Sequence, residues 1–474
     1  MRILLVNYEF PPIGAGGGRA SQKIAESLAE MGHTVRVITA RPTQWYSAFG
    51  NLMLLAGTGF WVYLAYAKLS WNEDISDHGF TILGTLLLLT GFILRHTGLT
   101  WELINPIRGL LPVEFINGVE VIRVPALRQR ADYCSTMEMA SFLLSGAWHS
   151  LRHAHRFRPE VVHIFFGIPD GPIGWLLKRV YGLPYLISLR GADVPSAEVK
   201  RFAKQYQVLR PFIRWLWRDA DAVVAVSNGL RQVAWQTEPG YPIEVIPNAV
   251  DLSVFTPPLQ RRDAGPVQLL FVGRLNAFKN VETLLEAIAH LLALDVGPFT
   301  LEIVGEGERR ASLEQQVVAL GLTRVVRFAG WVGHPQILDH YRETDLFVTA
   351  TTWEGMPNTV LEAMACGLPV VGSRAPGLDQ LVEDGVNGYL VEVNDVPALA
   401  DRLARLIQNG YERRRMGRES RKLAERRFAW EYIAAQYADI YRRIRKKPAA
   451  LEPASALQTD PPVSTPPPAP GTKD

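Results

Sequence analysis

Cysteine is scarce in this chain of 474 residues, which contains only Cys134 and Cys366. The two lie far apart, and they match neither the paired spacing of a zinc or redox motif nor the framework of a disulfide-stapled secreted domain. They fit a reducing compartment. Cys366 precedes Gly367 at a predicted helix end, where we expect a buried, inert thiol.

An excess of charge of either sign is also lacking. The 50 Lys and Arg residues are opposed by 47 Asp and Glu residues, and the formal net charge is only +3. The strong basic excess that marks general nucleic-acid binding is absent, so we expect no nucleic-acid partner. We also expect no signal peptide, because the short apolar run Ile3–Val6 is soon interrupted by Glu9.

Charge disappears altogether from two stretches in the first half of the chain. Residues 42–67 comprise 26 residues without a charged side chain, and residues 79–94 comprise 16. The first stretch is long enough to cross a hydrocarbon core of ~30 Å as a helix that rises ~1.5 Å per residue. The second is short, and it needs local thinning of the bilayer or snorkelling of Arg95 to do the same.

The charges around these stretches favour a membrane hairpin. Arginines flank the pair, whereas the connecting turn is net acidic. The positive-inside rule then places the rest of the chain in the cytoplasm. We therefore predict a hydrophobic insertion over 42–112 that anchors the protein at the cytoplasmic face of the cell membrane through a hairpin at about 45–67 and 79–96. A hydrophobic subdomain packed on the first domain, or a re-entrant segment, is the alternative.

Apolar runs typical of buried strands alternate with amphipathic, helix-like segments along both halves of the chain. The first series begins at Ile3–Val6, and a second restarts at 269–273 beyond a polar linker that contains prolines. Such alternation predicts two parallel sheets, each covered by helices on both faces. We place a first domain at residues 1–255 and a second at 256–428.

The end of the chain divides into two parts. Residues 429–447 are predicted to contain one further helix. Residues 448–474 have eight prolines among 27 residues and little apolar content. This composition predicts a disordered or polyproline-like tail.

The segment from Thr352 to Glu362 is the most informative about function. Glu354 and Glu362 lie eight residues apart, and the Gly355 to Pro357 turn between them is typical of a helix start. A helix N-terminus offers backbone N–H groups and a positive dipole end, which suit a phosphate. Glu354 on the loop could accept hydrogen bonds from sugar hydroxyls, and Glu362 on the helix could reach a ribose.

This block resembles the E-x7-E element of retaining glycosyltransferases of family 4, and the resemblance covers most of residues 1–445 apart from the insertion. It implies the α/β GT-B fold, in which two Rossmann-like, doubly wound domains face each other across a cleft. The first would then lie on the acceptor side, the second would bind a nucleotide sugar, and the last helix would return to the first domain. The implied enzyme is a glycosyltransferase of the hexosyltransferase type.

Two cations after the first strand of the second domain could neutralise a diphosphate leaving group. Arg274 can do so bidentately and Lys279 as a point charge, and the family has an Arg and a Lys at these places. We expect neither a metal nor another cofactor, because these cations supply the charge. The residues expected to bind the donor are Gly16, Gly17, Gly18, Gly273, Arg274, Lys279, Glu354, Gly355, Met356, Pro357, Asn358, Thr359 and Glu362.

The glycines at 16–18 belong to a Gly-rich loop between the first strand and its helix. Glycine there lets a ligand approach the backbone, and the helix start favours an anion. The loop is similar to the glycine-rich first loop of family 4, which lines the cleft near the donor phosphates and the acceptor. A plain tight turn is the alternative.

Two residues of the first domain complete the expected catalytic group of Glu354, Arg274, Lys279, His163 and Asp193. A histidine at the place of His163 often borders the reacting centre in family 4, although Phe165 stands where some relatives have a second histidine. Asp193 resembles the aspartate of the family's G-x-D loop, which could bind an acceptor hydroxyl or the developing positive charge. A core histidine and a turn-stabilising aspartate are the alternatives.

Together these features predict a membrane-associated retaining glycosyltransferase that moves a sugar from a nucleoside-diphosphate donor to a sugar or lipid-linked acceptor, such as a surface-polysaccharide precursor. The lipid expectation depends on the hairpin. A transferase for soluble acceptors, a nucleotide-sugar epimerase of the same fold and a non-catalytic membrane scaffold are the alternatives.

Overall fold

The computed structural model describes residues 1–11, 16–43, 112–127, 135–191, 193–194, 203–260 and 265–445, with the isolated positions 58, 88 and 89. The predicted membrane hairpin, apart from those three positions, and the proline-rich tail lie outside the described residues. Among the helices that are described, none is long and apolar enough to cross a membrane.

The first sheet has eight strands in the order β3-β4-β2-β1-β5-β6-β7-β8. All neighbouring strands are parallel except β3 and β4, which are antiparallel. The strands are β1 (Arg2–Val6), β2 (Thr34–Thr43), β3 (Val113–Ile116), β4 (Val119–Leu127), β5 (Val161–Phe165), β6 (Tyr185–Leu189), β7 (Ala222–Ala225) and β8 (Glu244–Val245). Its helices are α1 (Gly16–Glu30), α2 (Thr136–Phe157), α3 (Gly171–Tyr181), α4 (Ala203–Asp219) and α5 (Asn228–Thr237).

The second sheet has six parallel strands in the order β11-β10-β9-β12-β13-β14. They are β9 (Val267–Val272), β10 (Phe299–Val304), β11 (Val326–Gly330), β12 (Leu346–Thr349), β13 (Val370–Ser373) and β14 (Gly388–Val391). The helices are α6 (Val281–Ala293), α7 (Arg310–Ala319), α8 (His334–Arg342), α9 (Asn358–Ala365), α10 (Val396–Gln408) and α11 (Gly410–Arg427), with a 3-10 turn at Ala277–Lys279.

The central strands are apolar because helices cover both of their faces. Every residue of β5, β6 and β12 is buried, as expected for strands in the middle of a parallel sheet. The predicted pair of doubly wound domains is therefore confirmed.

Each sheet reverses its winding direction at one point. The first does so between β1 and β5, and the second between β9 and β12. Loops that leave neighbouring strands in opposite directions open a crevice at the carboxyl ends of the strands, where ligands of this architecture bind. The predicted site residues follow β1, β9 and β12, lie on β5 in the case of His163, or follow the neighbouring strand β6 in the case of Asp193.

The last helix, α12 (Trp430–Ile444), returns to the first domain. It packs beside α1, and Tyr441 forms a hydrogen bond of 2.6 Å with His163 on β5. This is the path that the family resemblance implies for the final helix.

The structure departs from the sequence-based elements at several points. Helix α1 begins at Gly16, inside the glycine run, rather than near Ala20. Strand β2 continues to Thr43, two residues into the segment assigned to the insertion. The four-residue strands β3 and β14 were not predicted, whereas β7, β12 and β13, which are equally short, were. Cys366 is fully buried, as expected.

Candidate active site

The loop after β12 meets the first domain. A Cβ atom placed on Gly355 would lie 3.1 Å from the carbonyl oxygen of Arg190, at the end of β6. The Trp353 ring lies 3.4 Å from the corresponding position on Gly191. Glycines at these two positions therefore let the domains approach closely beside Glu354.

Asn248 of the first domain adds polar contacts at the same place. Its Nδ2 donates to Asn358 Oδ1 at 2.9 Å and to the Met356 carbonyl at 3.3 Å. These bonds attach the beginning of α9 to the segment that leads out of the first domain. The residues from Gly355 to Asn358 thus lie on the cleft wall.

Lys279 and Glu354 form an ion pair between the loops after β9 and β12. The two loops are fastened together because Thr352 N and Thr351 Oγ1 both donate to the Phe278 carbonyl at 2.9 Å. Asn276 Oδ1 accepts from Lys279 N at 3.2 Å and caps the 3-10 turn. Each side chain of the pair is 17% exposed, so both are held in place while they remain reachable from the cleft.

The start of α9 lies directly beyond this pair. Pro357 occupies its N-cap position, and no side chain caps the first turn. The backbone N–H groups of Asn358 and Thr359 belong to that turn, where the helix dipole is positive. Gly273 and Arg274 follow β9 on the neighbouring loop, and the Arg274 side chain is exposed.

Glu362 lies further along α9 and is more enclosed. Tyr341 Oη on α8 donates to Glu362 Oε2 at 2.8 Å. Burial raises the pKa of Glu362 to about 7, while the Tyr341 hydrogen bond and the charge of Arg19 act in the opposite direction. Arg19 lies in the first turn of α1, next to Gly16–Gly18. The Gly-rich segment of the first domain therefore faces α9 of the second domain.

His163 is placed differently from the other expected catalytic residues. It is fully buried in β5, with Nδ1 bonded to Tyr441 Oη at 2.6 Å and Nε2 to Ser188 Oγ at 2.7 Å. Burial keeps the pKa of the imidazole well below its usual value. Because both ring nitrogens have partners inside the protein, the arrangement favours the core alternative and does not bring His163 to the cleft.

Asp193 organises the loops after β5 and β6. Its Oδ2 accepts from Gly167 N at 2.8 Å, and its Oδ1 accepts from Arg190 N and Gly191 N at 2.9 Å each. The carboxylate is 2% exposed, and burial raises its pKa against these hydrogen bonds. Three backbone donors on a buried carboxylate favour the turn-stabilising alternative over direct contact with a substrate.

Two family descriptions match the chain in tandem. "Glycosyl transferase 4-like domain" matches residues 15–249, and "Glycosyl transferases group 1" matches residues 258–423. The chain is a glycosyltransferase with a family 4-like first domain and a group 1 second domain.

Relatives of this glycosyltransferase span most of its length. The glycogen synthase of Mycobacterium tuberculosis is 24% identical over 444 residues, which are 93% of this chain and 94% of that protein. The N-acetyl-alpha-D-glucosaminyl L-malate synthase of Bacillus anthracis is 26% identical over 61% of this chain and 76% of its own.

Solved structures show the same fold. Sucrose-phosphate synthase from Thermosynechococcus elongatus superimposes with a TM-score of 0.67 at 20% identity, covering 94% of this chain and 99% of its own. Anabaena HepE, in complex with UDP and glucose, superimposes with a TM-score of 0.61 at 19% identity. The match covers 94% of this chain and 100% of HepE. Together with the sheet order, these likenesses establish the GT-B architecture.

Sequence reasoning missed four side chains at this glycosyltransferase's cleft: Arg19, Asn248, Tyr341 and Trp353. Asn248 stands in a turn that the sequence alone marks as structural. Tyr341 lies on α8, in a segment without any motif. Arg19, next to the Gly-rich run, and Trp353, beside Glu354 in the segment from Thr352 to Glu362, carried signals that could have singled them out.

Proposed function

We propose that this glycosyltransferase takes a hexose from a nucleoside-diphosphate donor and transfers it, with retention of anomeric configuration, to an acceptor at the cytoplasmic face of a membrane. The donor would bind along the carboxyl edge of the second sheet. There its diphosphate would meet Lys279, Arg274 and the start of α9, and its ribose would meet Glu362.

The ion pair of Lys279 and Glu354 is the observation that carries this proposal. It places a fixed cation and a fixed carboxylate side by side at the point where the second sheet reverses direction. An ammonium group has three donors, so Lys279 can hold Glu354 and a phosphate oxygen together. Glu354 keeps a second carboxylate oxygen with which to accept a sugar hydroxyl.

The chemistry then depends on placement and charge. The acceptor oxygen attacks the anomeric carbon from the face that the diphosphate leaves, the bond from carbon to phosphate oxygen breaks, and a departing phosphate oxygen takes the acceptor proton. Negative charge grows on the leaving group, where Lys279, Arg274 and the α9 dipole stabilise it. Domain contacts at Gly355 and Asn248 hold the two substrates at attacking distance.

UDP-sugars are the first donors to test. The comparison structure of Anabaena HepE contains UDP-glucose, and another relative in fold, TarM of S. aureus, was solved with UDP. We propose no metal in this role, since the cationic groups of the second domain face the expected diphosphate.

Membrane attachment through a hairpin at about 45–67 and 79–96 is proposed from the two charge-free stretches, 42–67 and 79–94. The chain leaves β2 and re-enters before β3 at the carboxyl edge of the first sheet, which is also the edge that borders the cleft. A bilayer at that edge would bring a lipid-linked acceptor, such as a surface-polysaccharide precursor, close to the donor.

A thermal-shift screen of the detergent-purified protein against UDP-, GDP- and ADP-sugars, with EDTA present, tests the proposal. A ligand that binds only the native state raises its apparent stability. We expect one nucleotide class to raise the melting temperature, and we expect Lys279→Met to abolish that rise. A folded sample that no nucleotide sugar shifts would contradict the proposed donor site and would favour a scaffold.

A further inference from the structure

Three helices of the first domain form a continuous layer on one side of its sheet. Tyr181 Oη at the end of α3 donates to the Leu151 carbonyl of α2 at 3.1 Å. The rings of Trp175 on α3 and Trp215 on α4 lie 5.2 Å apart. The outer surface of α2, α3 and α4 is therefore one surface.

Large apolar side chains are concentrated on this surface. Of the 22 exposed large hydrophobic residues in the described part of the chain, eight belong to α2, α3 and α4. Leu144 is 75% exposed, Trp148 67% and Val208 80%. Single exposed apolar residues are ordinary, whereas a concentration on adjacent helices marks a surface that contacts something apolar. The eight are Met137, Leu144, Trp148, Val180, Tyr181, Val208, Phe212 and Trp215.

The same helices are strongly basic. Their sequences contain eight Lys or Arg residues and only two acidic ones, Glu138 and Asp219. Glu138 is buried and accepts from Ser135 N at 2.6 Å, and Asp219 pairs with Arg179 at 2.6 Å. Lys178, Arg179, Arg214 and Arg218 are ion-paired with Asp221, Asp219 and Glu238. The positive charge left to attract a polyanion therefore lies mainly on α2, at the exposed Arg152 and Arg156.

Apolar and basic residues are separated along α2. Arg2 Nε at the beginning of β1 donates to the Arg158 carbonyl just past the end of α2 at 2.7 Å, and Tyr185 Oη at the beginning of β6 donates to the Leu216 carbonyl near the end of α4 at 3.1 Å. Both helices therefore end at the amino edge of the sheet and begin at its carboxyl edge. On α2 the exposed apolar residues Met137, Leu144 and Trp148 precede Arg152 and Arg156, which lie towards the amino edge. On α4, in contrast, arginines alternate with the exposed apolar residues.

The apolar first part of α2 lies towards the edge from which the hydrophobic insertion leaves the fold, and α2 packs on β4 and β2. Strand β2 ends at Thr43, and the chain is described again from Pro112, whose carbonyl accepts from Arg123 N of β4 at 2.8 Å. The 68 residues between them contain both charge-free stretches. The apolar first part of α2 and the two ends of the insertion therefore lie towards the same edge of the first sheet.

We propose that α2 and α4 dock the first domain onto an anionic lipid bilayer, with Leu144, Trp148, Val208, Phe212 and Trp215 in the headgroup region and Arg152 and Arg156 of α2 on lipid phosphates. Tryptophan and other amphipathic aromatics favour that depth, and basic residues favour anionic lipid. The proposal rests on the membrane location given under the proposed function but not on the transfer chemistry. This docking surface would hold the cleft edge against the bilayer.

A fluorescent probe at Val208 tests the contact directly. In full-length protein with Cys134→Ser and Cys366→Ala, Val208→Cys is labelled with an environment-sensitive dye and reconstituted into phosphatidylglycerol vesicles that carry a nitroxide on the lipid acyl chain. Val318→Cys on α7 is the matched control, because Val318 is 68% exposed on the second domain. We expect at least twofold quenching at position 208 and none at 318.

Two results would overturn the proposal. Equal, weak quenching at both positions would show that α4 does not reach lipid. A blue-shifted probe at 208 without nitroxide quenching would show that protein, such as the insertion itself or a second copy, covers the surface. The donor-induced thermal shift of the same labelled samples reports separately on the proposed transferase site.

A charge variant tests the lipid chemistry. Arg152→Glu on α2 should halve the quenching at position 208 or reduce it further, and neutral phosphatidylcholine vesicles should do the same. Arg414→Glu, at an exposed position on α11 of the second domain, is the control for net charge and should leave the quenching unchanged. Equal losses for both variants would assign the effect to net charge and contradict a specific docking surface.

Discussion

Lys279 and Glu354 lie on different loops and meet only because the sheet brings the ends of β9 and β12 together. Replacing Glu354 with Gln or Lys279 with Met removes one of the fixed charges around the expected donor. We expect transfer to fall by on the order of 10²-fold or more for each single variant. The fold-decrease in transfer for the double variant should be smaller than the product of the two single fold-decreases, since the residues act as a unit.

The matched control is an ion pair of the same type elsewhere. Lys422 Nζ and Glu419 Oε1 lie 2.8 Å apart on α11. Lys422→Met and Glu419→Gln should leave the initial rate of transfer within about twofold of the parent, because exposed pairs contribute little. If Glu354→Gln behaves like Glu419→Gln, the site assignment is wrong.

Glu362 makes donor binding depend on pH. Its pKa is raised from 4.5 to about 7, so the folded protein keeps a proton between these values that the unfolded chain has released. The stabilisation from this proton is complete below pH 4.5 and is lost as the pH rises through 7. A ribose hydroxyl that donates to Glu362 favours the ionised carboxylate.

Donor affinity should therefore rise as the pH increases through about 7, with donor binding below that pH releasing a proton. Calorimetric titration in two buffers of different ionisation enthalpy measures both effects. Glu362→Gln should abolish the pH dependence and the proton release. Proton release that persists in this variant would assign the ionisation to another group.

At the scale of the elements, the packing of α12 on the first domain is stabilised by the hydrogen bond between Tyr441 and His163. Leucine at this position would leave Tyr441 Oη and Ser188 Oγ without their bonds to the imidazole, and a buried polar group left unpaired costs about 1–3 kcal/mol. We expect His163→Leu to lower the melting temperature while the KM for donor stays within about twofold. Combining it with Tyr441→Phe should recover part of the loss. A large decrease in kcat without a change in melting temperature would instead indicate that His163 acts in catalysis.

The loop after β13 supports the loop that carries Glu354. Gly377 has a φ of +88°, and a Cβ atom there would lie 2.6 Å from the carbonyl oxygens of both Glu354 and Gly355. Gly377→Ala should push the Glu354 loop away and lower transfer by on the order of 10²-fold, as small displacements at a reacting centre do.

Gly385 provides the control for backbone strain. Its φ is +77°, but nothing lies within 4 Å of its Cβ position. Gly385→Ala should cost about 1–2 kcal/mol of stability with kcat unchanged. Similar kinetic losses in both variants would mean that strain alone, and not the contact with Glu354, explains the effect of Gly377→Ala.

Most elements could be predicted because their periodicity is local. Strand runs such as Ile3–Val6 and the turn at Gly355–Pro357 carry their own propensity, and Gly367 takes the left-handed conformation expected after a helix, with φ +70°. The partners of His163 and Asp193 could not be predicted. Tyr441 is 278 residues from His163, and only tertiary packing decides that the imidazole faces α12.

In the whole molecule, the proposed donor site draws on both domains. Asn248 and Arg190 of the first domain contact the beginning of α9 and Gly355 of the second, and the charge of Arg19 acts on Glu362. The sequence contains no motif or residue spacing that predicts any of these contacts. The Gly-rich segment could be recognised in the sequence, and its neighbour Arg19 acts on Glu362 at the same cleft.

The stereochemistry of sugar release tests the central claim most directly. The purified protein is incubated with the α-linked nucleotide sugar that gives the largest thermal shift, and the first-formed anomer of the released or transferred sugar is followed by proton NMR. The account predicts an α-anomer, released from the wild-type protein and not from Lys279→Met. A β-anomer as first product, or undiminished release by Lys279→Met, would contradict it.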